Sequence, residues 1–470
     1  MRIVMKFGGT SVGSVTALQK VVEIIQRYRA EGHEVLTVVS AMNGVTNLLL
    51  DSANKAEQGD EDTAHQARQT IAEKHASATL ELLGDGPVRD DVLAQVNALL
   101  DEFEALCHGI RVLGELTPRA LDVIGGLGER MSVLQVAAIL NHHDTPAKDV
   151  VATKLIVTDR RFGSAVPLIE ETATQSQAVL QPILETGQVP VITGFIGATQ
   201  EGIQTTLGRS GSDYSATIIG RAINADEVLI WTDVSGVMTT DPRIVPEAHP
   251  ISHLSYSEIG ELSFFGAKVL HSQAIRPARR EKIPVRILNT FEPNHPGTLI
   301  TEKASNNGRA VKAITAIKDM SLITVQGPGM VGIPGIAGRV FTTVGQSQAS
   351  VLMISQASSE QSICFVVPKT QTPHVIEALE KELSREVERR DLEKMQSYGD
   401  VVVLAVVGSH MQGTPGVSGS LFGALGQGKI NVIAIAQGSS ECNISLVIRQ
   451  SDADRAVKLL HKEFGLDKPE

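Results

Sequence analysis

Lys6 ends a β-branched run and opens "KFGGTS" (6–11), where two glycines and two hydroxyls follow it. An ammonium, a backbone that an anion can approach closely, hydroxyl donors and a helix start beyond them are the parts of a phosphate site. Taken singly, such a segment is an ordinary strand end before a turn. It is repeated in kind, however, at "VSAMNGVTN" (39–47), "ITGFIG" (192–197), "TTLGRSGSDYSA" (205–216), "WTDVSGVMTTDPR" (231–243) and "FFGAKVLH" (264–271). In open α/β sheets ligands bind beyond the carboxyl ends of the strands, so several strands ending in Gly, Ser, Thr, Asp, Lys and Arg imply one shared site for an anionic ligand. No GxxxxGKS or GxxxxGKT sequence occurs, which excludes the usual P-loop.

The elements that must position these residues follow a βαβ rhythm. "RIVMKF", "ALQKVVEIIQRYRAEG" and "EVLTVVS" alternate strand and helix, which favours a largely parallel sheet covered by helices. Residues 51–150 read as mainly helical from the spacing of Ala, Leu, Glu and Gln. Strands resume at "VPVITGFIG" (189–197), "EVLIWTDV" (227–234) and "IPVRILN" (283–289), and polar "TEKASNNGRA" (301–310) marks a domain boundary.

Beyond it the chain is duplicated. Residues 325–367 align without gaps on 406–448, with 18 of 43 positions identical. Each copy reads strand, glycine turn, helix, strand, strand, helix. The first copy finds a last strand near "LEKMQSYG" (392–399), whereas the second lacks one, so "AVKAITAIKD" (310–319) is expected to pair with the second copy and cover its open edge. "GPGMVG" (327–332) satisfies the GxGxxG pattern, but its counterpart "GSHMQG" has lost the middle glycine, and a dinucleotide site is not expected.

Bulk composition narrows the partners. With 470 residues, 42% hydrophobic residues and a net charge of −11, the chain reads as two or three globular domains whose acidic surface disfavours nucleic acid and anionic membranes. Three scattered cysteines, Cys107, Cys364 and Cys442, suit neither a disulfide framework nor a zinc site, and no metal site formed by the protein alone is expected. No stretch reads as a membrane helix of about 18 apolar residues. No signal-peptide pattern is evident, and a cytoplasmic location is expected.

In "KFGGTS", "GRSGSDYSA", "WTDVSGVMTTDPR" and "GAKVLH", followed by the duplicated glycine-rich unit, nearly the whole chain resembles the aspartate kinases. The resemblance implies an amino-acid-kinase fold, a mainly parallel sheet covered by helices, over residues 1–300. Two α+β ferredoxin-like ACT domains would follow at 311–396 and 397–470. It implies phosphorylation of the side-chain carboxylate of L-aspartate by ATP with Mg²⁺, feedback regulation, and a homo-oligomer formed through the ACT domains. The chain would be monofunctional, with no homoserine dehydrogenase part. By the same resemblance, Lys6 and Lys268 contact the nucleotide phosphates, Asp213 orients them, Arg209 holds the α-carboxylate and Glu129 the ammonium. Ser40, Thr46 and Phe195 line the aspartate pocket, and Gly8, Gly9, Thr232, Asp233, Met238 and Arg243 serve the nucleotide. The reaction suits such a set: two anions about 4 Å apart repel by on the order of 4 kcal/mol at an effective dielectric near 20. A carboxylate acceptor ionised at neutral pH also needs no general base.

Effector contacts are implied at Met330 to Ile336 with Val351 to Gln356, and at Met411 to Val417 with Val432 to Gln437. Gln356 and Gln437 resemble the glutamines at effector sites of threonine-sensitive members of the family, and each can donate to and accept from a hydroxyl, so the resemblance implies threonine ahead of lysine as inhibitor. Met238, Ser210 and Ser272 stand where the family commonly has Tyr, Gly and Pro. Met238 thereby places nucleotide affinity in question. The rival readings are another acceptor on the same fold (glutamate, acetylglutamate or a nucleoside monophosphate) and an amino-acid sensor whose kinase half is inactive.

Overall fold

The computed structural model describes residues 1–266, 270–303, 309–331, 335–359, 361–438 and 442–468. Two compact units account for the chain. The first comprises Met1–Val237, Ser252–Tyr256 and Val269–Ala304, and the second Met238–Ile251, Ser257–Lys268 and Ser305–Glu470. Two short segments from the first 300 residues belong to the second unit, which composition did not signal.

The first unit is built on an eight-stranded sheet in the order Ala147–Val150, Val189–Thr193, Glu34–Val39, Arg2–Phe7, Glu227–Thr232, Val285–Asn289, Thr298–Thr301, His253–Ser255. The first six are mutually parallel, and Thr298–Thr301 runs antiparallel to its neighbour. The central strands are apolar almost throughout, as strands covered on both faces must be. Their carboxyl ends finish nearly level: Phe7 lies opposite Val39 and Trp231, Val39 opposite Thr193, and Asn289 opposite Thr232. Helices Val45–Glu57, Asp62–Leu83, Pro87–Leu113, Pro118–Gly125 and Leu127–His142 confirm the helical reading of residues 51–150.

Pro118–His142 is long and apolar enough to span a bilayer by length and composition. Since 78% of its apolar window is buried inside the fold, it reads as core. The run 189–197 is not one strand: it breaks at Phe195, whose φ is 69°, and Ile196–Thr199 joins a separate three-stranded sheet with Val157–Thr158 and Gln204–Thr206.

In the second unit both repeats fold as read, with helices Ile336–Gln346 and Val417–Gln427 in equivalent places. One six-stranded antiparallel sheet joins them, in the order Met353–Gln356, Ser362–Pro368, Ala313–Gln326, Gln396–Val407, Asn443–Arg449, Ala434–Gln437. The long strand Ala313–Gln326 serves both repeats. Its first part, Ala313–Ile317, pairs with Val403–Val407, and its second part pairs with Ser362–Pro368. The segment ahead of the first repeat thus covers the edge of the second, as expected, and Gln396–Tyr398 returns the exchange against Leu322–Thr324. The glycines of "GPGMVG" have a packing explanation. A side chain on Gly327 would strike Asp391 and Leu392, and one on the equivalent Gly408 would strike Ala310 and Val311, so each repeat's glycine turn sits on the backbone leading into the exchanged strand.

Segment 257–264 is held in this unit by a buried cluster. Glu258 Oε1 accepts from the amide and hydroxyl of Ser409 at 2.7 and 2.8 Å, and Oε2 lies 3.6 Å from Lys312 Nζ, with both charged side chains essentially inaccessible.

Ile314 is fully buried in the core of the second repeat, while Ile323, on the same strand, is buried in that of the first. Ile314→Ala should therefore cost about 2–5 kcal/mol. By hydrogen exchange the lost protection should appear in Val401–Val407 and Asn443–Arg449; loss confined to Met353–Gln356 and Ser362–Pro368 would contradict the exchange.

Candidate functional site

A cavity of about 250 Å³ opens in the first unit at the carboxyl rim of the large sheet, lined by Lys6, Ser40, Ala41, Thr46, Glu129, Phe195, Gly208, Ser210, Gly211, Ser212 and Asp213. Each wall comes from a different strand end or helix start. Lys6 lies in Arg2–Phe7, Ser40 follows Glu34–Val39, and Phe195 follows Val189–Thr193. Glu129 and Asp213 both stand in the first turns of helices, Leu127–His142 and Gly211–Ala222, where a helix end favours negative charge.

The charged groups are buried together. Lys6 Nζ is 2.6 Å from Asp213 Oδ1, and both side chains are only 10% exposed. The two form a buried ion pair. Glu129 Oε2 is buried with no hydrogen-bond partner among the described residues. Burial dominates at Glu129 and pushes its carboxyl up to about 7, against the opposing pull of the Ala41 and Glu129 amides and of the Lys6 charge. One ammonium therefore faces two acids, one of them with a free oxygen. An incoming ammonium on Oε2 would return Glu129 to its ionised form.

Backbone strain is concentrated in the same walls. Phe195 (φ 69°) and Ser210 (φ 52°) both lie in the left-handed region although neither is glycine. Phe195 is held there from both sides: its amide donates to Ser215 Oγ at 3.0 Å and its carbonyl accepts from Leu207 N at 2.9 Å. A side chain at Gly211 would come within 2.5 Å of the Phe195 ring, so close approach requires glycine there.

Lys6, Asp213, Glu129, Ser40, Thr46 and Phe195 thus meet in one cavity. Arg209 lies outside its lining, exposed between Gly208 and Ser210, and makes no hydrogen bond or ion pair with the described residues. Gly8 donates its amide to Trp231 O at 3.1 Å, and Gly9 packs against the Ala41 carbonyl, which a Cβ would approach to 2.8 Å. The phosphate-cradle reading of Ser11 is corrected: fully buried, its hydroxyl bonds Thr290 Oγ1 at 2.7 Å and ties two strand ends together. Thr232 donates to Asp233 at 3.1 Å in the first unit. Met238 and Arg243 belong to the second unit, where Arg243 pairs with Asp241 at 2.6 Å. Lys268 lies outside the described residues. Sequence reasoning missed Ala41, Gly208, Ser210, Gly211 and Ser212 as walls, although their motifs had been singled out. Their signal was small size just after strand ends and at a helix start.

In the second repeat a cavity of about 320 Å³ is lined by Met411, Gly413, Thr414, Pro415, Val417, Ser418, Gln437 and Ile444. It brings Met411, Val417 and Gln437 together; Val432 is half-buried outside it. In the first repeat Met330 and Ile336 are buried, Val351 is half-buried and Gln356 is exposed, while residues 332–334 lie outside the described residues.

The first unit thus carries a lysine-bearing cavity at the carboxyl rim of a largely parallel sheet, and the second unit carries two copies of one α+β repeat in a shared antiparallel sheet. Residues 1–289 match the amino acid kinase family, and residues 323–383 and 404–464 each match the ACT domain. The chain is 38% identical over 99% of its length to bifunctional aspartokinase/homoserine dehydrogenase 1, chloroplastic, of Zea mays, and covers 50% of that protein. With aspartokinase 1, chloroplastic, of Arabidopsis thaliana it shares 32% identity over 98% of this chain and 80% of that one. Aspartokinase III of E. coli superposes with a TM-score of 0.82 in its R-state complex with aspartate and ADP, and of 0.78 in its T-state complex with lysine and aspartate. The identities are 29% and 30%, and in both cases 98% of this chain and 99% of that one are covered. The chain belongs to the aspartokinase family, and it spans about half the length of its bifunctional maize relative.

The Glu129 carboxyl carries a stability consequence with a definite sign. Raised from 4.5 to about 7, it holds its proton more tightly folded than unfolded, so stability falls as pH rises through this window, by about 3 kcal/mol at pH 8. Glu129→Gln should therefore raise the unfolding midpoint of the ligand-free protein at pH 8 and leave a much smaller gain near pH 5. An equal gain at both pH values would show that Glu129 is not held protonated by the fold.

Proposed function

We propose that the protein transfers the γ-phosphoryl group of ATP to the side-chain carboxylate of L-aspartate, forming 4-phospho-L-aspartate and ADP, under feedback control by an end-product amino acid. The observation that carries this reading is the buried Lys6–Asp213 pair beside an unpartnered Glu129 oxygen in one cavity. Glu129 Oε2 receives the substrate ammonium, and Arg209 offers its planar fork to the α-carboxylate. Ser40, Thr46 and Phe195 shape the space between. Lys6 neutralises charge on the transferring phosphoryl, with Asp213 holding its ammonium in place. Lys268 retains its proposed place on the phosphates, and Gly8, Gly9, Thr232, Asp233, Met238 and Arg243 theirs on the nucleotide. The acceptor oxygen is ionised at neutral pH, so positioning and charge neutralisation supply the catalysis. A nucleotide reactant is supported by the ADP complex of the E. coli relative. Mg²⁺ belongs to this reading as the ATP counter-ion. No group of three or more His, Cys, Asp or Glu side chains able to ligate a metal occurs among the described residues, so no step is assigned to it.

For regulation, threonine is favoured and lysine stands second. The cavity at Met411–Ile444 is lined by Thr414, Ser418 and Gln437 without a charged side chain, which suits a small hydroxyl amino acid; the E. coli relative was solved with lysine. Thr239, next to Met238, is tied to the second repeat. Its hydroxyl lies 2.9 Å from His461 Nε2, and its carbonyl accepts from Ile314 N at 2.9 Å, both within the second unit. Assembly into a homo-oligomer through the ACT repeats and a cytoplasmic location complete the proposal, although the maize and Arabidopsis relatives are described as chloroplastic.

Incubation with ATP, aspartate and hydroxylamine should yield aspartyl hydroxamate. ATP binding without hydroxamate would refute the acceptor assignment. Lys6→Ala should lower turnover by on the order of 10²–10³-fold with folding retained, and wild-type turnover in that variant would remove Lys6 from the mechanism. Threonine and lysine titrated separately should show inhibition by threonine at the lower concentration, weakened about tenfold by Gln437→Ala through loss of its hydrogen bonds. Inhibition by lysine alone would reverse the ranking.

A further inference from the structure

Asp122 takes no part in the chemistry above, yet it is buried (2% exposed) on the helix Pro118–Gly125, which leads through Gly126 into the helix carrying Glu129. It forms no ion pair among the described residues. Instead, both its oxygens collect donors from two other segments. Oδ1 accepts from Gly163 N at 2.9 Å and from Thr206 Oγ1 at 2.6 Å, and Oδ2 accepts from Gly163 N at 3.0 Å and Thr206 N at 2.9 Å. Its own carbonyl accepts from Gln204 Nε2 at 2.8 Å.

Thr206 is consequently fixed at every polar group, since its carbonyl accepts from Ala165 N at 2.8 Å. The next residue, Leu207, donates to the strained Phe195 at 2.9 Å, and Gly208, Ser210, Gly211 and Ser212 then form one wall of the cavity. The turn that contains Arg209 is thus suspended between Thr206 at one end and the helix beginning at Gly211 at the other, where Tyr214 N bonds Ser210 O at 3.0 Å. Arg209 itself has no partner among the described residues to orient it, so its direction depends on the geometry of that turn. Asp122 is the charged group that anchors the turn's start. It does so from the same helical segment that leads to Glu129.

We propose that Asp122 is a positioning residue for the amino-acid substrate: it sets the turn Leu207–Gly211 so that Arg209 meets the α-carboxylate while Glu129 meets the ammonium. This rests on the acceptor and the Arg209 role proposed above. A carboxylate is suited to the task because both its oxygens accept, here from three donors with the Gly163 amide shared between them, which an amide of the same shape cannot do, one of its ends being a donor.

The test is Asp122→Asn in the full chain. The KM for aspartate should rise about tenfold while the KM for ATP stays within about twofold, a split that general loosening of the fold would not produce. In an Arg209→Ala background the same change should add less than about twofold to the KM for aspartate, because the two residues act through one contact. Equal rises in both KM values, or effects that multiply independently of Arg209, would overturn the assignment. Should Asp122→Asn fail to fold, Thr206→Val removes one of the three donors and should give the same split at about threefold; no split there would also overturn it. A wild-type protein that forms no aspartyl hydroxamate would instead refute the acceptor reading, which separates the two failures.

Discussion

Burying charge is the constraint on which the first unit depends. Taking an ammonium and two carboxylates out of water costs several kcal/mol each unless they are paired or hydrogen-bonded, and Lys6, Asp213 and Glu129 are all nearly inaccessible. Lys6 and Asp213 offset that cost by pairing. Glu129 does so only in part, through backbone amides and by holding its proton. The surrounding fold tolerates the remainder because helix starts supply favourable dipoles and because parallel strands bring their ends to one level.

The same rim explains the strain. The ends of three parallel strands and the turn after Gln204–Thr206 share one small cavity, and there Phe195 and Ser210 adopt left-handed backbone and Gly211 has no room for a side chain. Each is over-determined by neighbours: Ser215 and Leu207 on Phe195, Tyr214 on Ser210, Asp122 on Thr206. Polar groups that seemed available for ligands, Ser11 above all, prove to be the bolts between strand ends.

The second unit solves a different problem, the exposed edge. Two copies of one incomplete motif share a long strand and return one another's last strand, so neither copy is independent of the other. Glycine turns at Gly327 and Gly408 lie against the chain entering each exchange, which accounts for residues that otherwise mimic a cofactor fingerprint. Segments 238–251 and 257–264 join this body through Thr239 and Glu258.

The sequence by itself determined the alternation of strands and helices, the duplication, the exchanged strand and the types of residue at the rim, because periodicity and turn chemistry are local properties. It also identified Lys6, Asp213 and Glu129 by resemblance to a family. Only the tertiary structure decided which of those residues share a cavity, that Ser11 ties two strand ends together, that Phe195 breaks a strand, and that Met238 and Arg243 belong to the second unit. The reason is physical. Side-chain burial and pairing depend on contacts between residues hundreds of positions apart, such as the 2.6 Å between Lys6 and Asp213, which no local pattern encodes.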